Sequence, residues 1–122
     1  MTRILVADDD PALRRLYAIW LELDGFTVVE AADGREAIEI VERGPMPHGA
    51  VLDVDMPLVD GLAVCRYLHA RDPALPVVVV TGVDEPAEDA HAAGAVEVLG
   101  KPCSREDLLA VLHRRYQVLT IV

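Results

Sequence analysis

Ile4-Leu5-Val6-Ala7-Asp8-Asp9-Asp10-Pro11 packs a complete folding instruction into a short stretch. The four aliphatics form a run of strand type, and the three acids stop it. Asp10 can accept from the orphan N–H groups of a helix start, and Pro11 fits a first helical turn. Leu13, Leu16, Tyr17, Trp20 and Leu23 then recur at spacings of three and four. That period predicts an amphipathic helix with those residues on its apolar face. Gly25 follows its end.

The same alternation runs through the chain. A strand is expected over 27–31. Asp33 and Glu36 then resemble a capping box for a helix carrying Ala37, Ile38 and Val41, broken at Gly44-Pro45. A third run, 50–52, ends at Asp53, and Leu62, Cys65, Leu68 and His69 space as a helix after Gly61. The most apolar run, 77–80, is stopped by Thr81-Gly82, and an Ala-rich helix over 86–93 ends at Gly94. A fifth strand over 96–99 precedes a last helix, capped by Ser104 with Asp107 and carrying Leu108, Leu109, Val111, Leu112 and Tyr116. Strands that read as unbroken aliphatic runs are buried on both faces, so five βα units predict an α/β fold with a parallel sheet covered by helices. No linker, repeat or low-complexity segment interrupts them, and a single domain over 1–122 is expected.

Composition narrows the function. The 122 residues are 52% hydrophobic and only 4% aromatic, so the core is aliphatic. Acids outnumber bases 21 to 11, a net charge of −10, which argues against a nucleic-acid-binding surface because phosphate contacts need clustered Lys and Arg. Ten of the bases are Arg, and Lys101 is the lone lysine. Cys65 and Cys103 make no disulfide framework. The start is too short and too acidic for a signal peptide, and no run approaches a membrane span, so a cytoplasmic protein is expected.

In open parallel sheets the site lies outside the carboxyl ends of the strands. There the sequence places Asp8, Asp9 and Asp10 after the first strand, Asp53 and Asp55 after the third, Thr81 after the fourth and Lys101 after the fifth. If the first and third strands are neighbours, Asp8, Asp9 and Asp53 share one cleft. Three carboxylates there repel one another, and a divalent cation with a taste for hard oxygen ligands, Mg²⁺, relieves the repulsion. A bound Mg²⁺ beside a lysine and a hydroxyl suits a phosphoryl group, and a carboxylate can accept one.

Four pieces, ILVADDD at 4–10, LDVDMPLVDG at 52–61, VVVVTG at 77–82 and GKP at 100–102, resemble the receiver domain of two-component response regulators over essentially the full chain. The resemblance implies a flavodoxin-like, doubly wound sheet of order 2-1-3-4-5 with five helices. It implies that Asp53 is the phosphoacceptor, charged by a sensor histidine kinase or a histidine phosphotransfer protein. Asp8, Asp9, Asp53 and the backbone carbonyl of Asp55 would hold Mg²⁺. Thr81 is the switch hydroxyl, Lys101 pairs with the phosphoryl group, Gly82 keeps it accessible, and Met56, Pro57 and Gly61 shape the loop after the acceptor. The Lys101-Pro102 bond is typically cis in such domains. The implied protein is a signalling domain rather than an enzyme turning over an external substrate. It has no nucleic-acid or membrane partner through this domain and leaves room for a homodimer.

The chain departs from that pattern in places. Val98 stands where the family often has an aromatic, Cys103 where it often has Phe, and Asp55 where an uncharged residue is common. The segment between Thr81 and Gly94 is about two residues short, with Pro86 early, so a short or displaced fourth helix is expected. Val83, apolar, favours slow self-dephosphorylation. Bland roles are expected elsewhere: core packing for Tyr17, Trp20 and Cys103, loop positions for the side chains of Asp55 and Asp60, a solvated face for Asp84, Glu85 and Glu88, surface or half-buried places for His48, His69, His91 and His113, a helix end for Arg114-Arg115, and a packed tail or linker for 118–122. Two other readings compete. One is a degenerate receiver that binds partners without phosphate. The other is a phosphatase of the haloacid dehalogenase type, suggested by Asp53-Val54-Asp55.

Overall fold

The computed structural model describes residues 2–82 and 87–115. The readings made on Val83, Asp84, Glu85, Pro86, Tyr116 and 118–122 lie outside the described residues. The chain alternates strand and helix throughout: β1 (Arg3–Ala7), α1 (Pro11–Leu23), β2 (Thr27–Ala31), α2 (Gly34–Arg43), β3 (Gly49–Asp53), α3 (Gly61–Arg71), β4 (Val77–Thr81), α4 (Ala87–Ala92), β5 (Glu97–Gly100) and α5 (Arg105–Arg115). The strands form one parallel sheet in the order β2-β1-β3-β4-β5, so the expected doubly wound α/β architecture is the one observed.

Successive strand residues point to opposite faces, and the sheet splits its aliphatics accordingly. Ile4, Val6, Val51, Val78 and Val80 face α1 and α5, packing on Tyr17, Leu21, Leu108, Val111 and Leu112. Leu5, Ala7, Ala50, Leu52, Val77 and Val79 face the other layer, packing on Ala37, Val41, Val64, Cys65 and Leu68. Residues of β3 and β4 are buried from end to end, as continuous aliphatic runs require.

The caps explain the helix starts. Asp10 Oδ1 accepts from the N–H groups of Ala12 and Leu13, at 3.0 and 3.2 Å. Asp33 Oδ1 accepts from Glu36 N at 2.8 Å, while the Glu36 carboxylate reaches back to Ala32 N, one residue before the cap. Ser104 Oγ accepts from Asp107 N at 3.0 Å. Asp60, expected as a plain loop residue, caps α3 through Ala63 N at 2.9 Å.

Three expectations need correction. The buried face of α1 is Tyr17, Ala18 and Leu21, whereas Leu16 and Leu23 are exposed. The spacing rule counted every apolar residue, but the sheet and α5 cover only a stripe centred on Tyr17 and Leu21. In α3 the buried residues include Val64 alongside Cys65 and Leu68, and His69 is exposed. The fifth strand is shifted by one, to Glu97–Gly100. The fourth helix is short, as expected, with Gly94 just past it at φ +113. Among the described residues no helix is long and apolar enough to cross a membrane.

Candidate functional site

Register brings the acids together. Ala7 pairs with Leu52 in the β1–β3 ladder, so the next positions on each strand, Asp8 and Asp53, stand side by side. Neighbouring strands lie about 4.8 Å apart, and both residues share the parity of Val6 and Val51, on the face toward α1 and α5. Carboxylate oxygens of Asp8, Asp9 and Asp53 all lie within 4.8 Å of one another. Asp8 and Asp53 are buried while Asp9 is exposed. The triplet at 8–10 therefore divides its work: Asp8 and Asp9 enter the cleft, and Asp10 caps α1.

On the other side, Thr81 pairs with Gly100, which sets Lys101 just beyond the sheet edge. Lys101 Nζ lies 3.0 Å from Asp53 Oδ2 and 3.7 Å from Asp8 Oδ2. The Lys101-Pro102 bond is cis. Lys101 N donates to Thr81 O at 2.7 Å, and Val54 N to Val80 O at 3.2 Å, so the loops carrying these residues are tied to neighbouring strands. Thr81 is buried, and its hydroxyl donates to the Gly82 carbonyl at 3.2 Å. Met56 N and Gly61 N both donate to Val54 O at 3.0 Å, folding the loop after Asp53 back on itself. A Cβ on Gly61 would stand 2.1 Å from the Asp53 carbonyl oxygen, so a glycine there lets α3 start against the acceptor's own backbone.

Electrostatics follow from burial. Desolvation raises the Asp53 carboxyl to about 6, and the charge of Asp8 adds to it. Contact with Lys101 and the Asp55 backbone N–H pull the other way. Asp8 is also raised, chiefly by burial, against the Asp10 N–H and Lys101. Burial alone would lower Lys101, but Asp53, Asp8 and Asp9 outweigh it and the ammonium is held more firmly than usual.

These residues fit a divalent cation. Asp8 Oδ2 and Asp53 Oδ2 are fully buried without a hydrogen-bond partner. The Lys101 ammonium, though 3.0 Å from Asp53, meets that oxygen as a charge rather than as an aligned donor. Buried orphan carboxylate oxygens are costly, and a hard cation taking both of them with Asp9 removes that cost.

The Asp55 side chain is exposed, as a loop side chain should be. Cys103 and Tyr17 are buried in the α1–α5 layer. The four histidines lie outside the Asp8–Asp9–Asp53 cluster: His48 Nδ1 accepts from Arg3 N, His91 Nδ1 meets Ala95 O, His113 pairs with Asp24, and His69 lies beneath Gly94. Arg114 and Arg115, expected as a plain helix end, both reach Glu97. The sequence reading missed Arg14, whose guanidinium donates to the Asp8 carbonyl at 2.9 Å and to Glu30 at 3.1 Å. Its one sequence signal is Glu30 itself, a carboxylate inside the otherwise uncharged Thr27-Val28-Val29-Glu30-Ala31.

Comparison with known proteins bears on the whole arrangement. Residues 4–113 match the response regulator receiver domain family. The response regulator MprA of Mycolicibacterium vanbaalenii is 44% identical over 110 residues, covering 88% of this chain and 47% of that protein. MprA of Mycobacterium leprae is likewise 44% identical, over 88% and 48%. The chain thus spans about half the length of these relatives. Among solved structures, a CheY-like receiver domain protein from Methanospirillum hungatei superposes with a TM-score of 0.88 at 27% identity, over 94% of this chain and 93% of that one. The response regulator TrrA from Thermotoga maritima, in complex with Mg(2+)-BeF, superposes with a TM-score of 0.86 at 26% identity, over 95% and 100%. An acidic cleft at the carboxyl edge of a 2-1-3-4-5 sheet, and a family match from the first strand into the last helix, agree on one assignment: the chain belongs to the response regulator receiver domain family.

Proposed function

We propose that this domain is a phosphoacceptor switch in which Asp53 takes a phosphoryl group from a phosphohistidine on a sensor histidine kinase or a histidine phosphotransfer protein. The observation that carries this reading is the convergence of Asp8, Asp9 and Asp53 within 4.8 Å, with Lys101 Nζ 3.0 Å from Asp53. Asp8, Asp9, Asp53 and the Asp55 carbonyl would hold Mg²⁺, which supplies charge neutralisation between the acceptor and the incoming phosphoryl oxygens. TrrA, the relative in complex with Mg(2+)-BeF, supports that choice of ion.

Asp53 offers a carboxylate oxygen as the nucleophile. A new P–O bond forms as the donor's P–N bond breaks, and the imidazole keeps the electron pair and takes up a proton. Burial keeps water from Asp53, and Lys101 stands ready to pair with the added charge of about −1.5 to −2. Thr81 then exchanges its 3.2 Å bond to the Gly82 carbonyl for a charged phosphoryl oxygen, a stronger acceptor. Moving a switch from 1:99 to 99:1 takes about 5.5 kcal/mol, within reach of a few such bonds.

The test is incubation with Mg²⁺ and acetyl phosphate, followed by intact mass. One added phosphoryl group is expected, absent in Asp53→Asn and absent in EDTA. Failure to label, with Mg²⁺ binding demonstrated, overturns the proposal in favour of a phosphate-independent binding module.

A further inference from the structure

Glu30 is out of place by composition. It sits in β2 opposite Val6, in a strand of otherwise short or apolar residues, and its side chain is only 26% exposed. Its two oxygens are divided between two arginines of α1. Oε1 accepts from Arg14 Nε at 3.1 Å, and Oε2 pairs with Arg15 Nη1. Arg15 is held in turn by Glu22 at 3.0 Å. The Arg14 fork therefore has one arm anchored on the sheet. Its other arm, Nη1, donates to the backbone carbonyl of Asp8 at 2.9 Å.

The peptides on either side of the Asp8 Cα are both tied toward β2. The Asp8 N–H donates to the Ala31 carbonyl at 3.2 Å, and its C=O is taken by Arg14, which the neighbouring Glu30 holds. Its side chain is fixed as well, because Oδ1 accepts from Asp10 N at 2.9 Å. Every polar atom of Asp8 except Oδ2 then has a hydrogen-bond partner, and Oδ2, without one, has the Lys101 ammonium 3.7 Å away. The same carbonyl belongs to the peptide that sets the direction of Asp9. Asp9 is exposed and reaches the cluster only if that peptide keeps its orientation.

We infer that Arg14, anchored by Glu30, is a positioning residue for the cation site: it locks the Asp8–Asp9 peptide so that two carboxylates from one loop converge on the same ion. This rests on the reading of the acidic cleft as a Mg²⁺ site. Groups that orient a metal's ligands typically contribute 10–100-fold to its affinity.

The sign of the effect separates positioning from charge. Removing a guanidinium beside a cation site, by electrostatics alone, tightens cation binding. Removing a positioning arm weakens it. Calorimetric titration of the full chain with MgCl₂ distinguishes the two. Arg14→Ala is expected to weaken Mg²⁺ binding about tenfold or more. Arg14→Lys, with a single charged head in place of a fork, restores part of it. Glu30→Gln, which leaves Arg14 in place but loosens its anchor, gives an intermediate loss. Urea midpoints in EDTA for each variant establish the folded fraction, and Glu30→Gln stands in if Arg14→Ala does not fold. Mg²⁺ affinity in Arg14→Ala equal to or tighter than wild type overturns the inference. Absence of Mg²⁺ binding in the unmutated chain instead overturns the reading of the cleft.

Discussion

Lys101 Nζ lies 3.0 Å from Asp53 Oδ2, so the chain's lone lysine is spent on the carboxylate proposed to be phosphorylated. Removing it leaves two buried carboxylates without their nearest cation. Loss of one partner of a fully buried pair costs about 3–5 kcal/mol. Lys101 is a quarter exposed and Asp53 can take up a proton, so Lys101→Ala should destabilise the metal-free protein by about 1–2 kcal/mol near neutral pH. The loss should shrink near pH 5, where Asp53 is largely protonated. Urea denaturation in EDTA at both pH values checks this, and equal losses at the two would contradict it.

The raised acids predict an inverted acid response. Asp53 binds its proton more tightly folded, at about 6, than at its ordinary 3.8, and Asp8 shifts in the same direction. Between those values the folded state holds more protons than the unfolded state, so stability falls as pH rises. Asp53→Asn should remove its share of that slope and be more stable than wild type above pH 6 in EDTA. Adding Mg²⁺ should reverse the ranking, since ligand at a hundred times its Kd stabilises by about 2.7 kcal/mol. Denaturation midpoints across pH 4–8, with and without Mg²⁺, give the comparison.

Two glycines near the acceptor should behave oppositely. A methyl at Gly61 meets backbone, the Asp53 carbonyl, which cannot step aside. Gly61→Ala should cost about 3 kcal/mol and weaken Mg²⁺ binding with it. Among the described residues a methyl at Gly82 meets nothing within 4 Å, so Gly82→Ala should stay within about 0.5 kcal/mol of wild type. Its effect, if any, belongs in the labelling rate.

Leu58 holds φ +71 with its side chain exposed. A non-glycine residue there carries about 1–2 kcal/mol of strain. Glycine relieves it but adds freedom to the unfolded chain. Leu58→Gly should stabilise by a net of about 0.5–1 kcal/mol. A thermal melt that falls instead would mean the leucine side chain packs more than its exposure implies.

The parallel sheet and the residues at its carboxyl edge are legible because both follow from short-range rules, whereas the strand order comes only with the family resemblance. Aliphatic runs mark buried strands, and residues just past their ends collect on one edge, which is how Asp8, Asp53, Thr81 and Lys101 were singled out. The α1 face was misread because periodicity names a stripe without saying how wide its cover is, and Leu16 and Leu23 fell outside it. Asp60 was missed because its capping role depends on where Gly61 begins the helix. The Arg14–Glu30 contact was out of reach because it joins two elements sixteen residues apart through side chains whose spacing carries no period.

The last hydrogen bonds past the sheet run Asp8 to Ala31, Val54 to Val80 and Lys101 to Thr81. Mechanically this is a row of links in which each loop is hinged to the end of an adjacent strand. Thr81 and Lys101 share the shortest of them, at 2.7 Å, so the hydroxyl and the ammonium are not independent levers. A shift of the backbone at one is a shift at the other. A displacement at the end of β4 would thus reach the β5–α5 loop through a main-chain bond in which the Val98 side chain takes no part.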